Sequence, residues 1–98
     1  MIIVAGHLEL EPADRDAFVA DAATSVALAR TTPGCLDFSV SADPLDPTRV
    51  NVCERWETTG ALLGFRGNGP ADGIVDRVLE FNVEEYEVTV ARLPSHLD

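Results

Sequence analysis

One carboxylate and two aromatic side chains are the residues of this chain most able to do chemistry together. Glu54 and Trp56 stand two residues apart at the end of an alternating segment, and Tyr86 lies in a similar segment further on. In a strand, residues two apart project to the same face of the sheet. A carboxylate among apolar side chains can act as a general base, and a tyrosine hydroxyl can orient a ligand oxygen. We therefore take Glu54 and Tyr86 as candidate catalytic residues.

Each of these side chains also has a structural interpretation. Glu54 could instead anchor nearby helix amides or an arginine, because a buried carboxylate needs a donor. Trp56 could stack on a flat aromatic ligand or could belong to the core, as large indoles at strand ends often do. Tyr86 could bury its ring while its hydroxyl reaches water. The residue types alone leave both interpretations open.

The other reactive residues do not indicate a metal, disulfide or nucleotide site. His7 falls on the polar face of its strand and His96 lies in the terminal segment, so the two histidines make no metal site. Cys35 and Cys53 are predicted to lie too far apart along a hairpin to form a disulfide. The chain contains no lysine and no glycine-rich phosphate loop, so no nucleotide cofactor is indicated.

Alternating and helical patterns predict the elements that position these residues. Alternation predicts a first strand from Ile2 to Leu10 with its even positions toward the core, and Pro12 ends it. Helical spacing then predicts a helix over residues 13–30. Two further strands form a hairpin because their apolar faces share one register. The predicted pairs are Leu36/Trp56, Phe38/Glu54, Val40/Val52 and Ala42/Val50.

The second half of the chain completes an α+β domain. Thr58 is predicted to cap a short helix that contains Leu62 and Phe65. Helical spacing predicts another helix over residues 71–81, and alternation around Tyr86 predicts the last strand. The resulting βαββαβ order is that of the ferredoxin-like fold, with a four-stranded antiparallel sheet and helices on one face.

Projection of the strand faces brings one set of side chains toward the helices. These residues would line any ligand pocket, beside the catalytic candidates Glu54 and Tyr86. The predicted substrate-binding residues are Phe38, Val52, Trp56, Phe65 and Val88.

Several short motifs, in order, resemble one protein family. They are Pro33-Gly34-Cys35 before the second strand, Glu54-x-Trp56 at the end of the third, and Ala61-Leu62 in the following helix. This arrangement is similar to that of the antibiotic biosynthesis monooxygenase family, and the likeness covers nearly the whole chain. It implies a single domain over residues 1–98 that pairs with a second copy as a dimeric α+β barrel.

The resemblance also implies a function. It suggests a cofactor-independent monooxygenase that acts on an aromatic, phenolic or quinone-type small molecule, with Glu54 as base and Tyr86 as orienting donor. The family often has a histidine at the position that Phe65 occupies here. Two alternatives remain: a non-catalytic small-molecule binding or sensing module, and an isomerase or cyclase that acts on a polyketide-like substrate.

Size and charge restrict the partners. A domain of 98 residues buries a limited share of its surface, so a second copy would add apolar burial. We expect a homodimer through the sheet face that bears no helix. The predicted interface residues are His7, Asp37, Asn51, Cys53 and Arg55. Seven basic and seventeen acidic residues give a net charge of −10, which disfavours nucleic acid and anionic membranes. Without a signal sequence or a membrane span, the chain is predicted to be cytoplasmic.

Overall fold

A computed structural model describes residues 1–67 and 75–95 of the chain. Strands and helices alternate in the predicted order along these residues. The elements are β1 (Ile2–Leu10), α1 (Pro12–Arg30), β2 (Cys35–Ala42), β3 (Arg49–Trp56), α2 (Thr59–Gly67), a short 3₁₀ turn (Val75–Arg77) and β4 (Val78–Glu87).

The four strands form one antiparallel sheet in the order β2-β3-β1-β4. The βα crossovers therefore skip one strand each, because β3 lies between β1 and β2, and β1 lies between β3 and β4. Both helices pack on the face of the sheet that carries the even residues of β1. This arrangement confirms the predicted ferredoxin-like α+β fold.

Local sequence accounts for the helix limits. Pro12 occupies the first turn of α1, where its missing N–H costs nothing. Thr58 caps α2, because its Oγ1 accepts a hydrogen bond of 3.1 Å from the Ala61 amide. None of the helices in the described part of the chain is long and apolar enough to cross a membrane.

The predicted register of the central hairpin is confirmed except at its open end. Phe38 pairs with Glu54, and Val40 pairs with Val52. The prediction that Leu36 pairs with Trp56 is wrong, because an irregularity between Cys35 and Asp37 makes Cys35 the partner of Trp56. Leu36 is consequently 45% exposed and lies outside the core.

Of the predicted helix over residues 71–81, the structure shows a 3₁₀ turn at Val75–Arg77, and the prediction is wrong from Val78 onward. Residues 71–74 lie outside the described part of the chain, and β4 begins at Val78. The register between β1 and β4 shifts between Glu9 and Leu10, so alternation in β4 is interrupted near its start. Val78 and Leu79 lie at this register shift. Two adjacent apolar residues break the alternation expected of a strand, and the sequence analysis interpreted them as helical spacing.

The core on the helix-facing side of the sheet has two parts. The first surrounds Trp56, which is fully buried, and the second surrounds Leu10. The buried residues of the first part are Ile2, Val4, Ala29, Phe38, Trp56, Leu62 and Phe65, and those of the second are Leu8, Leu10, Phe18 and Val50. Along β1 the two parts are separated at Gly6, which has no side chain to join them.

The free edge of the sheet at β2 is closed by side chains. Arg30 at the end of α1 donates a hydrogen bond of 3.0 Å from Nε to the Phe38 carbonyl oxygen. The Phe38 amide donates one of 2.9 Å to Oδ1 of Asp37. Two backbone groups in the middle of an edge strand therefore have partners within the chain.

Replacement of Gly6 by alanine should destabilise the protein. The φ of Gly6 is +149°, and a Cβ at this position would lie 2.8 Å from Val83 Cα and closer still to the Asn82 carbonyl oxygen. We expect a loss of about 2 kcal/mol or more in the free energy of unfolding, measured by urea denaturation. In the matched control Gly60→Ala, the new Cβ would meet Thr58 Oγ1 at 3.8 Å, an ordinary contact. A Gly6→Ala protein as stable as the control would contradict this explanation.

Candidate active site

A cavity of about 400 Å³ lies between the sheet and the two helices. It occupies the gap between the two parts of the core, next to the position of Gly6. Its lining residues are Val4, Leu8, Phe18, Ala22, Phe38, Val40, Val52, Glu54, Arg66, Phe81 and Val83. Phe81 is 58% exposed, so the cavity reaches the surface on that side. Nine of these eleven residues are apolar, and only Glu54 and Arg66 are charged.

Glu54 is the buried ionisable group of this cavity. It is 9% exposed, and its Oε1 accepts a hydrogen bond of 3.0 Å from Nε1 of Trp56. The two residues are neighbours on one face of β3, so the strand itself aligns the donor with the acceptor. Among the described residues, the side chain that donates a hydrogen bond to this carboxylate is the Trp56 indole, and Arg66 acts on it through its charge alone.

Burial raises the pKa of the Glu54 carboxyl above its ordinary value, because the charged form loses hydration. The indole hydrogen bond lowers it, and so does the nearby Arg66 guanidinium. Glu85 adds a smaller like-charge repulsion that raises the pKa again. The result is a carboxylate that is more basic than a solvated one and still has a donor, as a general base requires.

Trp56 and Phe65 lie behind the cavity wall instead of forming it. Trp56 is fully buried, and its ring centroid lies 5.3 Å from that of Phe65 and 6.4 Å from that of Phe38. Phe38 is the member of this aromatic group that lines the cavity, together with Val52 as predicted. The hypothesis that Trp56 stacks directly on a ligand does not fit this burial. Trp56 instead supports Phe38 and hydrogen-bonds Glu54.

Tyr86 and Val88 were predicted to face the helices, and this prediction is wrong. Tyr86 pairs with Ile3, an odd residue of β1, and therefore lies on the opposite face of the sheet. Val88 follows Tyr86 by two residues, and its amide donates a hydrogen bond of 2.8 Å to the Met1 carbonyl oxygen, so it still runs beside β1. Residues two apart share a face, and Val88 therefore lies on the same opposite face as Tyr86. The residues of β4 that face the helices are Phe81, Val83 and Glu85. Pairing with β1 determines which residues of β4 face the helices, and the sequence of β4 alone did not reveal this.

Several residues at the site were missed by the sequence analysis, and four of them bear on its chemistry and shape: Phe18, Arg66, Phe81 and Glu85. Phe18 lies within the predicted helix over residues 13–30 without having been assigned to the site, and Phe81 was assigned to the predicted helix over residues 71–81. Arg66 and Glu85 were not considered. Their side chains form an ion pair of 3.6 Å beside Glu54, between Nη1 of Arg66 and Oε1 of Glu85. A signal existed for Arg66, because it follows the core residue Phe65 directly and so lies at the edge of the same helix face.

Neither His7 nor the two cysteines line the cavity, and His96 lies outside the described residues. Cys35 and Cys53 are both free thiols, and the hairpin register places Cys35 opposite Trp56 and Cys53 opposite Ser39. Among residues 1–67 and 75–95, no three histidine, cysteine or acidic side chains lie where they could hold one metal ion.

Comparison with solved structures gives the same architecture. A candidate antibiotic biosynthesis monooxygenase from Nitrosomonas europaea superposes with a TM-score of 0.79, covering 92% of this chain and 100% of that one at 18% identity. A second, from Chloroflexus aurantiacus, gives a TM-score of 0.70 over 93% of this chain and 95% of that one at 19% identity. A third, from Deinococcus radiodurans, gives 0.68 over 96% and 98% at 21% identity. At these identities the likeness is one of fold.

Sequence comparison identifies the family. An uncharacterised protein of Synechocystis sp. is 30% identical over 61 residues, which span 62% of this chain and 42% of that protein. The model of the antibiotic biosynthesis monooxygenase family matches residues 1–77, that is, 77 of the 98 residues. With the fold and the Glu54-x-Trp56 strand already described, this match shows that the chain belongs to the antibiotic biosynthesis monooxygenase family.

Proposed function

We propose that this protein is a cofactor-independent monooxygenase that binds a phenolic or quinol-type aromatic molecule in the cavity and deprotonates it with Glu54. The observation that carries the proposal is the buried Glu54 carboxylate, held by the Trp56 indole at 3.0 Å in a cavity whose other lining residues, apart from Arg66, are apolar. A flat apolar ligand with one acidic hydroxyl matches this distribution of polar and apolar groups.

The chemistry balances with oxygen as the only co-reactant. Glu54 takes the hydroxyl proton of a quinol, and the electron-rich phenolate gives an electron to O₂. One oxygen atom then enters the ring and the other leaves as water, so that a quinol and O₂ give a hydroxyquinone and H₂O. The four electrons that O₂ accepts all come from the substrate. The protein supplies the base, the orientation and a cavity that excludes water.

A binding or sensing module is the second candidate. It is favoured by the position of Tyr86, which lies on the other face of the sheet and gives Glu54 no hydroxyl partner. Phe65 adds to this argument, because it fills the core where the family often has histidine. Under this alternative the same cavity holds the same class of ligand without turning it over.

We further propose that two copies pair through the sheet face opposite the helices. In the described part of the chain no helix covers that face, and a second sheet would bury Ile3, Ala5 and Cys53, which are half-buried in the single chain. Asp37 and Arg55 lie 3.8 Å apart there with 47% and 46% of their side chains exposed. Such a pair could be buried as a unit at the interface.

Replacement of Glu54 by glutamine should abolish most of the turnover. The amide cannot accept the substrate proton, and loss of a general base costs about a hundredfold or more. The measurement is oxygen consumption with a panel of dihydroxy-aromatic compounds in the absence of flavin, haem or added metal. Glu57→Gln removes the same charge from an exposed residue of the turn after β3 and is the control. Equal rates for wild type and Glu54→Gln would refute the role of Glu54. Compounds that bind without reacting would favour the binding module.

The Glu54→Gln protein should also become more stable than wild type as the pH rises. The folded protein favours protonated Glu54, so this stabilisation is complete below the ordinary value of 4.5 and disappears as the pH passes the higher pKa of the folded state. Glutamine imitates the protonated form at every pH. We expect the difference in free energy of unfolding between the two proteins to grow across that interval, as followed by urea denaturation. A difference independent of pH would contradict a raised pKa of Glu54.

Charge reversal at Arg55 should weaken the dimer. Arg55→Glu would place two like charges beside each other at the proposed interface, and we expect the dissociation constant to rise at least about tenfold. Light scattering over a concentration series measures this change. Arg77→Glu is the control, because it disrupts an ion pair of 2.8 Å with Asp21 on the helix side of the sheet. A wild-type mass of 10.5 kDa at micromolar concentration would refute the dimer itself.

A further inference from the structure

Arg66 lies between two acidic side chains at one end of the cavity. Val4 of β1 pairs with Glu54 of β3 on one side and with Glu85 of β4 on the other. Both glutamates therefore leave the sheet on the face that carries the helices, on either side of Val4. Arg66, in the last turn of α2, lines the cavity and pairs with Glu85 at 3.6 Å. Its positive charge also acts on Glu54.

The contact between Arg66 and Glu85 is loose. A separation of 3.6 Å between Nη1 and Oε1 exceeds hydrogen-bond distance, and the two side chains are 47% and 48% exposed. Exposed pairs of this kind add little to stability. Such geometry leaves the guanidinium able to turn from Glu85 toward a group inside the cavity, since its donors are not committed to one partner.

Arg66 is also the single cation among the cavity-lining residues that the structure describes. At the opposite end Arg77 lies over the Phe18 ring at 5.7 Å and is held by Asp21. A ligand oxygen that comes within reach of Glu54 therefore has one positive partner nearby, and that partner is Arg66.

We propose that Arg66 is a specificity-determining residue that makes the cavity prefer ligands whose buried end carries an anionic oxygen, such as a phenolate, over neutral ligands of the same shape. This inference rests on the proposed function for its substrate class. In the proton transfer, the O–H bond of the ligand breaks, an O–H bond forms on Glu54, and the negative charge moves from Glu54 to the ligand oxygen. The charge stays within reach of Arg66 throughout, so the guanidinium stabilises the product of the transfer as well as the ionised base.

The selectivity can be measured without turnover. Para-nitrophenol is studied at a pH where it is ionised in solution, with para-nitroanisole as a neutral ligand of nearly the same shape. Calorimetry gives both dissociation constants for the full chain, and the visible absorbance of the phenolate reports its ionisation when bound. The phenolate binds with uptake of one proton by Glu54, so that the two oxygens share a single negative charge beside Arg66, and we expect the wild type to bind it more tightly than the anisole.

Arg66→Gln should reduce this preference by about fivefold, through weaker binding of the phenolate and not of the anisole. Arg66→Lys should keep part of the preference, because it retains the charge. Glu85→Gln should increase the preference, because it removes the competing partner. The control is Arg92→Gln, which removes the same charge at an exposed position beyond β4 and should change neither constant.

Two results would overturn the inference. One is an unchanged ratio of the two dissociation constants in Arg66→Gln, and the other is a wild type that binds the anisole as tightly as the phenolate. Failure of the proposed function is recognised separately, by turnover that is absent or independent of Glu54. A protein that turns over none of the compounds and still binds the phenolate more tightly in an Arg66-dependent way would support the inference and refute the proposed monooxygenase activity.

Discussion

The hydrogen bond from the Trp56 indole to the Glu54 carboxylate is the interaction on which the site depends. A carboxylate on the inner face of a sheet loses its water, and without a donor that loss costs several kcal/mol. Here the donor comes from the same strand face, two residues away, and the indole is itself fixed by Phe38 and Phe65. The aromatic core therefore determines where the carboxylate points, and the cavity forms on the side that the aromatic rings leave open.

This dependence shows how a core residue controls the candidate base without lining the cavity. Trp56 is fully buried and does not line the cavity. It still sets the orientation of Glu54, and it lowers the pKa that burial alone would raise further. The Arg66 guanidinium, which comes from helix α2, also lowers the pKa of Glu54. The basicity of Glu54 thus results from burial opposed by one neutral donor and one cation.

Much of this could be predicted from the sequence, because alternation in a strand with one buried face is a strong signal. It gave β1 with its limits, the parity of the central hairpin, and the positions of Glu54, Phe38 and Val52 on the helix side. It also gave the order of elements through β3 and α2. These predictions rest on local patterns, in which one residue determines the side on which the next one lies.

The errors arose where a single residue changed which side of the sheet the following side chains face. At the start of β2 the irregular pairing turned Leu36 outward, and near the start of β4 a register shift concealed the strand. Tyr86 was placed on the wrong face because β4 takes its register from β1, and no pattern within β4 reports it. Arg66 and Glu85 meet only through the tertiary fold, since they come from different elements, and their pairing has no signature in sequence spacing.

The side chains that close the β2 edge limit how copies of this protein can associate. The Phe38 carbonyl oxygen is bonded to Arg30 and the Phe38 amide to Asp37. In the middle of that strand, neither backbone group of Phe38 is therefore available to pair with an incoming strand. Growth of the sheet by edge-to-edge addition, which has no natural end, is therefore opposed at this side. The pairing proposed above, through the broad face, would instead be complete after two copies. Arg30 thus opposes open-ended growth of the sheet at this edge through the same residue, Phe38, whose ring lines the cavity.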